Sequence, residues 1–330
     1  MVVRVEETGA RPQPTPPADE QVGFGSAAGR WVLLASILGS GPAGIDATVV
    51  NVALPAIGED LDADFAALQW TVTAYTLTLA SFILLGGALG DRYGRRRVFV
   101  IGVVWFAVAS LLCGLAPNAP LLIAARALQG VGGALLTPGS LAMIQASFVP
   151  ADRARAIGAW SGLGGVATAI GPFLGGWLVQ SASWRWVFLI NLPLAALVVV
   201  VTRRHVPETR DPASAGRPDL PGAVLGALAL AGVTYALIQA PKDGLTTVVL
   251  LLAVVGVLSA IAFVVAERRQ KHPMLPLDIF ASKQFSAANA VTFVIYGAFS
   301  VAMFPSSSSS SSSRASAPSR PVRRSSRSPW

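Results

Sequence analysis

Charge is the scarcest ingredient of this 330-residue chain. Only 13% of its residues are Asp, Glu, Lys or Arg, whereas 53% are hydrophobic and the mean hydropathy is +0.59. A water-soluble domain carries about a quarter charged residues. The composition therefore excludes a soluble globular protein and predicts a protein that crosses the lipid bilayer several times.

Cysteine and histidine are nearly missing as well. The single cysteine, Cys113, lies in an apolar run, and the two histidines, His205 and His272, lie in polar stretches. One cysteine provides neither an intramolecular disulfide nor a CxxC motif, and this inventory cannot build a metal site. None of the three lysines stands in the GxxxxGK[ST] motif that an ATP-driven pump requires.

The net charge of +8 does not indicate nucleic-acid binding, because five of the arginines lie in the last 17 residues. They are Arg314, Arg320, Arg323, Arg324 and Arg327. The rest of the chain carries 20 basic and 17 acidic residues, a balance of only +3. We therefore expect no nucleic-acid partner.

Long apolar runs, in contrast, are abundant. Runs of about 20 apolar residues are long enough to cross a bilayer as helices. Nine such spans lie at 31–57, 68–89, 98–116, 121–147, 156–180, 184–202, 221–240, 247–266 and 285–304. Loops after the even-numbered spans carry 14 Lys and Arg residues, against 2 after spans one, three, five and seven. The positive-inside rule then predicts a cytoplasmic amino terminus.

Two ionisable residues lie well inside the spans, Asp46 in the first and Arg126 in the fourth. An ionised group near the bilayer centre costs at least ~2.5 kcal/mol. Asp46 lies about 16 Å and Arg126 about 9 Å below the outer ends of their helices at 1.5 Å per residue. We expect an ion pair facing a shared cavity. A static pair that only orients two helices is the alternative.

Glycine is concentrated in the fifth span, which reads GAWSGLGGVATAIGPFLGG. Its glycines are Gly158, Gly162, Gly164, Gly165, Gly171, Gly175 and Gly176. They predict close packing against another backbone, and Pro172 predicts a break in the hydrogen-bond ladder and a bend. Ordinary small-residue packing between membrane helices is the alternative.

The spans hold neither histidine nor paired carboxylates, which argues against a membrane enzyme.

These patterns resemble the major facilitator superfamily, and within it the drug:H⁺ antiporters of the fourteen-span type. The loop motif GxLxDRxGRR is matched by Gly87, Leu89, Asp91, Arg92, Gly94, Arg95 and Arg96. The first-span motif is matched by DATVVNVALP, positions 46–55. The fourth-span motif is matched by Arg126, Gln129, Gly130, Gly132 and Ala134. The antiporter motif of the fifth span is matched by Gly158, Gly171, Pro172, Gly175 and Gly176, with Ala167 where a glycine is usual.

The resemblance implies an all-α polytopic fold in the cell membrane. Residues 31–202 would form the amino-terminal six-helix bundle, 203–220 a cytoplasmic loop, 221–266 two extra transmembrane helices, and 285–304 the first helix of a second bundle. It also implies proton-coupled efflux of a small lipophilic drug or antibiotic-like compound. The proton gradient would supply the energy, with no cofactor.

The resemblance further implies roles for individual residues. Asp46 would take up a proton from outside, and Arg126 would tune its affinity. Asp91 would hold the two bundles in one conformation by meeting a helix end and nearby arginines. Topology setting alone is the alternative for Arg95, Arg96 and Arg97, because cytoplasmic loops are rich in such residues.

The two ends of the chain are polar. Residues 1–30 predict a disordered cytoplasmic tail. After position 304 the chain runs into eight serines and then a stretch rich in Arg, Ser and Pro. This tail at 305–330 is either genuine low-complexity sequence or, as we expect, an out-of-frame stretch, since leucine codons CTC read as TCC one base later.

An out-of-frame tail would leave a truncated antiporter. Activity would then need the missing second bundle or a homodimer. The alternatives are an inactive fragment and a non-transporting membrane scaffold or receptor.

Overall fold

Helices dominate the structure, because a segment inside a bilayer must satisfy its backbone hydrogen bonds internally. The computed structural model describes residues 21–210, 219–270, 275 and 277–303. The helices are α1 (Ala27–Leu61), α2 (Phe65–Tyr93), α3 (Arg95–Gly114), α4 (Ala119–Ser147), α5 (Pro150–Ser181), α6 (Trp186–Leu189), α7 (Asn191–His205), α8 (Leu220–Asp243), α9 (Thr247–Arg269) and α10 (Lys283–Met303). In this part of the chain, eight helical segments are long and apolar enough to cross a membrane. The predicted all-α polytopic fold is confirmed.

Short polar residues set the starts of five helices. The side chains of Ser26, Asp64, Asn118, Asp219 and Thr246 each accept a hydrogen bond from the backbone N–H three residues later. Such a cap satisfies one of the free N–H groups of the first turn and is worth about 1 kcal/mol. The helix starts therefore follow from local sequence chemistry.

The first helix begins earlier than predicted, and residues 22–26, assigned to the disordered tail, make specific contacts. The Val22 N–H donates to the Ser147 carbonyl at 2.8 Å, and the Val22 carbonyl accepts from Val149 at 3.2 Å. The Phe24 ring lies beneath the Arg155 guanidinium, 4.4 Å from Cζ to the ring centroid. This segment therefore connects the start of α1 to the α4–α5 turn. Residues 1–20 lie outside the described residues.

The sixth span consists of two helices. Helix α6 ends at Leu189 and α7 begins at Asn191, with Ile190 between them. Pro193 is the third residue of α7, where its missing N–H costs little because the first turn has no internal partner. The junction therefore places the polar Asn191 inside the bundle, where it is 2% exposed.

Helix α4 lies against both α2 and α3, while α1 packs along α5. One buried cluster includes Tyr75, Phe99, Phe106 and Phe148. A second cluster, displaced along the same helices, includes Ile57, Leu122, Trp184 and Phe188. Apolar packing thus encloses α4 from several sides, and α4 carries the motif residues of the fourth span.

Helices α8 and α9 form a hairpin that contacts α2. The Trp70 and Tyr235 rings lie 5.8 Å apart, and Lys242 Nζ donates to Asp64 Oδ2 at 2.6 Å. The hydrogen bond from Lys242, followed by that from the Ala67 N–H, lowers the pKa of the exposed Asp64 carboxyl. Two helices are thus present at the positions predicted, 221–266, and the hairpin packs against α2.

The chain divides into two compact units, Met1–Leu275 and Pro276–Trp330. All eight membrane-length segments belong to the first unit. The described part of the second unit contains a 3₁₀ helix, Leu277–Ala281, and α10. Helix α10 covers the predicted ninth span up to Met303. The serine- and arginine-rich tail at 305–330 lies outside the described residues.

Close packing of the α8–α9 hairpin depends on two glycines. A Cβ at Gly232 would lie 2.8 Å from Gly256 Cα and collide with the Leu252 carbonyl, whereas a Cβ at Gly226 would meet only Phe263 at 3.8 Å. We expect Gly232→Ala to destabilise the protein by about 1–3 kcal/mol. Gly226→Ala should be neutral or slightly stabilising. Thermal unfolding of both variants in detergent checks this, and equal melting temperatures would contradict it.

Candidate functional site

Helices α1 and α4 bring Asp46 and Arg126 together. The Arg126 Nη1 group donates a hydrogen bond to Asp46 Oδ2, although the two residues are 80 positions apart in the sequence. Asp46 is 1% exposed and Arg126 is fully buried. The ion pair expected between the first and fourth spans is therefore present in the structure. Its part in proton coupling stays a prediction.

A buried amide completes the pair. Gln129 lies one turn after Arg126 on α4, and its Oε1 accepts from Arg126 Nη1 at 2.6 Å. Gln129 Nε2 donates to Asp46 Oδ1 at 3.0 Å and to Ser110 Oγ at 2.8 Å. Arg126 Nε also donates to the Thr71 carbonyl at 3.0 Å. Both charged groups are thus hydrogen-bonded on more than one side, which reduces the cost of burying them.

Aromatic rings enclose the guanidinium. The Arg126 Cζ atom lies 4.4 Å from the Tyr75 ring centroid and 5.7 Å from that of Phe188. Cation–π contacts of this kind strengthen when the cation is desolvated. The aromatic rings and the neighbouring helices thus leave Asp46 and Arg126 almost without exposed surface.

The motif glycines of α4 allow neighbouring helices to approach. A Cβ at Gly132 would lie 2.7 Å from the backbone nitrogen of Phe106 on α3, and one at Gly130 would collide with Thr78 and the Tyr75 carbonyl on α2. A side chain at either position would push α2 or α3 away. The glycines therefore hold Arg126 and Gln129 against these helices.

The loop motif lies at the α2–α3 turn. Gly87, Leu89 and Arg92 belong to the last turns of α2. Asp91 Oδ1 accepts from Arg95 Nε and Nη2, both at 2.8 Å. The carboxylate thus bonds one of the expected arginines and joins the end of α2 to the start of α3.

Glu208 is a site residue that the sequence analysis missed. Its Oε1 accepts from the Arg96 backbone N–H at 3.1 Å, and Arg96 Nη1 donates to the Val206 carbonyl at 3.0 Å. The Arg95 N–H also donates to the Thr209 carbonyl at 3.0 Å. A carboxylate at a helix amino terminus is favourable, but this general preference does not identify Glu208 from the sequence. The loop motif is therefore bound to the segment that follows α7.

The glycines of the fifth-span motif differ in what surrounds them. Helix α5 continues through Pro172 without ending. A Cβ at Gly175 would lie 2.9 Å from Val49 Cγ1, and one at Gly171 would lie 3.3 Å from Thr48 Cβ and collide with its hydroxyl. Among the seven glycines of this span, these are the two at which a Cβ would meet α1 in the described part of the chain. Within the described residues, a Cβ would meet nothing within 4 Å at the other five, which are Gly158, Gly162, Gly164, Gly165 and Gly176.

Adjacent glycines on α5 provide a matched test of this packing. We expect Gly175→Ala to destabilise the protein by about 1–3 kcal/mol, because the new methyl group meets Val49 on α1. Gly176→Ala should be neutral or stabilising by up to about 1 kcal/mol, since alanine favours the helix. Melting temperatures measured side by side in detergent check this, and a loss of stability in Gly176→Ala would contradict it.

Gly94 permits the approach of Glu208. Its φ of +113° is unfavourable for other residues, and a Cβ there would lie 2.6 Å from Glu208 Oε1. We expect Gly94→Ala to cost about 2 kcal/mol of stability. Gly90→Ala is the control, since its Cβ would meet only Arg95 Cα at 4.0 Å. If both variants unfold at the wild-type temperature, the Glu208 contact does not hold this loop.

Comparison with known proteins covers most of the chain. Residues 36–322 match the sequence pattern of the family described as Major Facilitator Superfamily. The methylenomycin A resistance protein of Bacillus subtilis is 39% identical over 281 residues, which are 84% of this chain and 60% of that protein. The puromycin resistance protein pur8 of Streptomyces alboniger is 39% identical over 261 residues, covering 79% of this chain and 51% of that protein.

A solved structure shares the fold. A crystal structure of the peptide transporter POT in complex with sulfate superposes with a TM-score of 0.53 at 17% identity, over 76% of this chain and 55% of that one. This chain spans about half the length of the relatives it matches. The match to the family pattern, the two relatives and the shared helical fold agree with the loop, fourth-span and fifth-span motifs, and the chain belongs to the major facilitator superfamily.

Proposed function

We propose that this chain serves proton-coupled efflux of a small lipophilic, antibiotic-like compound, as a drug:H⁺ antiporter of the fourteen-span type. The observation that carries the proposal is the enclosed Asp46–Arg126 pair between α1 and α4. Relatives named as resistance proteins for methylenomycin A and puromycin support the substrate class.

The pair links protonation to movement by simple electrostatics. A proton on Asp46 removes the counter-charge of Arg126, and an uncompensated buried charge costs several kcal/mol. Arg126 must then find water or another partner, which requires α4 to shift relative to α1. A proton entering from outside can therefore drive the conformational change that exports a bound compound.

The exporter also needs a second bundle. Alternating access requires two bundles that rock around a central site, and α1 to α7 supply one. We infer that the other is provided by a second copy of the chain, by a separately encoded partner, or by sequence in the adjacent reading frame after position 304. We place the amino terminus on the cytoplasmic side of the cell membrane, because the positive-inside rule assigns the loops rich in Lys and Arg to that side.

Substitution of the buried carboxylate tests the coupling. The protein is reconstituted in vesicles that contain a pH-sensitive dye, and proton flux on addition of a lipophilic cation such as ethidium is measured under an imposed pH gradient. We expect Asp46→Asn to lower the drug-induced flux at least tenfold, because the neutral amide cannot bind and release a proton. Asp60→Asn is the matched control, since that exposed carboxylate lies near the carboxyl end of α1 and binds Arg185 at 2.7 Å.

The assay is run on this chain and on the version that continues in the adjacent reading frame. Gradient-driven efflux that persists in Asp46→Asn would overturn the coupling role. An absence of efflux in both wild-type versions would instead favour a non-transporting scaffold or receptor.

A further inference from the structure

We propose that Asn191, at the start of α7, is a positioning residue for the Asp46–Arg126 pair, which it orients through Ser110 and Gln129. The inference rests on the proposed proton-coupling role of Asp46. It assigns to the junction between α6 and α7 a part in setting the proton affinity of that carboxylate.

The first step concerns the orientation of the Gln129 amide. Its oxygen faces the Arg126 guanidinium at 2.6 Å, and its nitrogen faces Asp46 Oδ1 at 3.0 Å. The opposite orientation would set the amide oxygen against a carboxylate oxygen and the amide N–H against a cation. The second N–H of Gln129 then points to Ser110 Oγ at 2.8 Å, so Ser110 must accept this hydrogen bond.

The second step concerns the hydrogen bond by which Asn191 holds the Ser110 hydroxyl in place. A hydroxyl group has one hydrogen to donate and two lone pairs to accept. Asn191 Nδ2 lies 3.3 Å from Ser110 Oγ and donates to it. If the Asn191 amide were flipped, Ser110 would instead donate its hydrogen to the amide oxygen. In both cases the contact with Asn191 fixes the position of the Ser110 oxygen, and a lone pair of that oxygen remains for the Gln129 N–H.

The side chains of this network are all buried, which makes each hydrogen bond depend on the next. Ser110 and Gln129 are fully buried, and Asn191 is 2% exposed. Water cannot replace a lost partner at such positions, so the geometry of one hydrogen bond constrains the next. The chain from Asp46 through Gln129 and Ser110 to Asn191 joins α1, α4, α3 and α7.

The same junction also touches the other side of the pair. Phe188, in α6, lies 5.7 Å from the Arg126 guanidinium. Residues on the two sides of Ile190 thus contact the pair from two directions, one through the guanidinium and one through the amide network. A shift at this junction would therefore change both groups of the pair.

Three titratable groups face Asp46 among the described residues. They are Arg126 on α4, Tyr75 on α2 beneath the guanidinium, and Cys113 on α3, whose Sγ lies 3.7 Å from Gln129 Oε1. Helices α5, α6 and α7 contribute uncharged side chains here. Tyrosine and cysteine ordinarily titrate well above the carboxylate range, so a carboxyl signal at this site reports on Asp46.

The experiment follows that signal directly in the full chain in lipid nanodiscs. Infrared difference spectroscopy detects the carbonyl band of a protonated carboxyl group, and Asp46→Asn identifies the band. We expect Asn191→Leu to raise the pH midpoint of this band by about half to one unit, because the ionised carboxylate loses support from Gln129. Ser110→Ala should produce a similar rise, and the double variant should add little to either one.

Thr202→Val is the matched control. Thr202 is fully buried on the same helix but lies outside the network, and its substitution should leave the midpoint unchanged. Ser110→Ala, a loss of one oxygen, keeps the test available if Asn191→Leu fails to fold.

Midpoints equal to wild type in Asn191→Leu and Ser110→Ala, or two shifts that simply add, would overturn the proposal. The expected shifts in a protein that exports nothing would contradict the proposed function and still support this inference.

Discussion

The structure of the first six spans depends on one requirement, that two opposite charges inside the bilayer must be paired and hydrogen-bonded. An unpaired charge at this depth would cost several kcal/mol, so α1 and α4 must lie close enough for Asp46 and Arg126 to bond. The glycines of α4 allow the close approach of α2 and α3, so that the Thr71 carbonyl and the Ser110 hydroxyl reach the charged cluster. The small residues of α4 thus make possible the hydrogen bonds that the buried charges require.

The pair was predictable and its surroundings were not, for a physical reason. A charge stands out in an apolar span because it is costly, so Asp46 and Arg126 could be identified without a structure. Serine and asparagine cost much less inside membrane helices and occur there for many reasons. Only the fold shows that Ser110 bonds to Gln129 and that Asn191 bonds to Ser110. Glu208 was missed because a carboxylate in a polar loop carries no signal of its partner, Arg96, 112 positions earlier.

Glycine illustrates the same limit within one helix. From the sequence alone the seven glycines of α5 cannot be distinguished, since each lacks a side chain and each could pack against another helix. Packing separates them, because Gly171 and Gly175 lie against α1 and the other five do not approach a neighbour in the described residues. Which glycine matters depends on which helix lies opposite, and that information is in the tertiary arrangement. The limits of the helices, in contrast, lie within six residues of those predicted from the apolar runs, because hydropathy is a local property of the sequence.

The contacts of residues 22–26 have a consequence for biosynthesis. The Phe24 N–H donates to Asp152 Oδ2 at 2.8 Å, a partner 128 positions later in the chain. This partner is not available to the amino-terminal segment until the ribosome has delivered four helices and the turn that follows them. The amino-terminal end of α1 is thus fixed only after α4 has been synthesised.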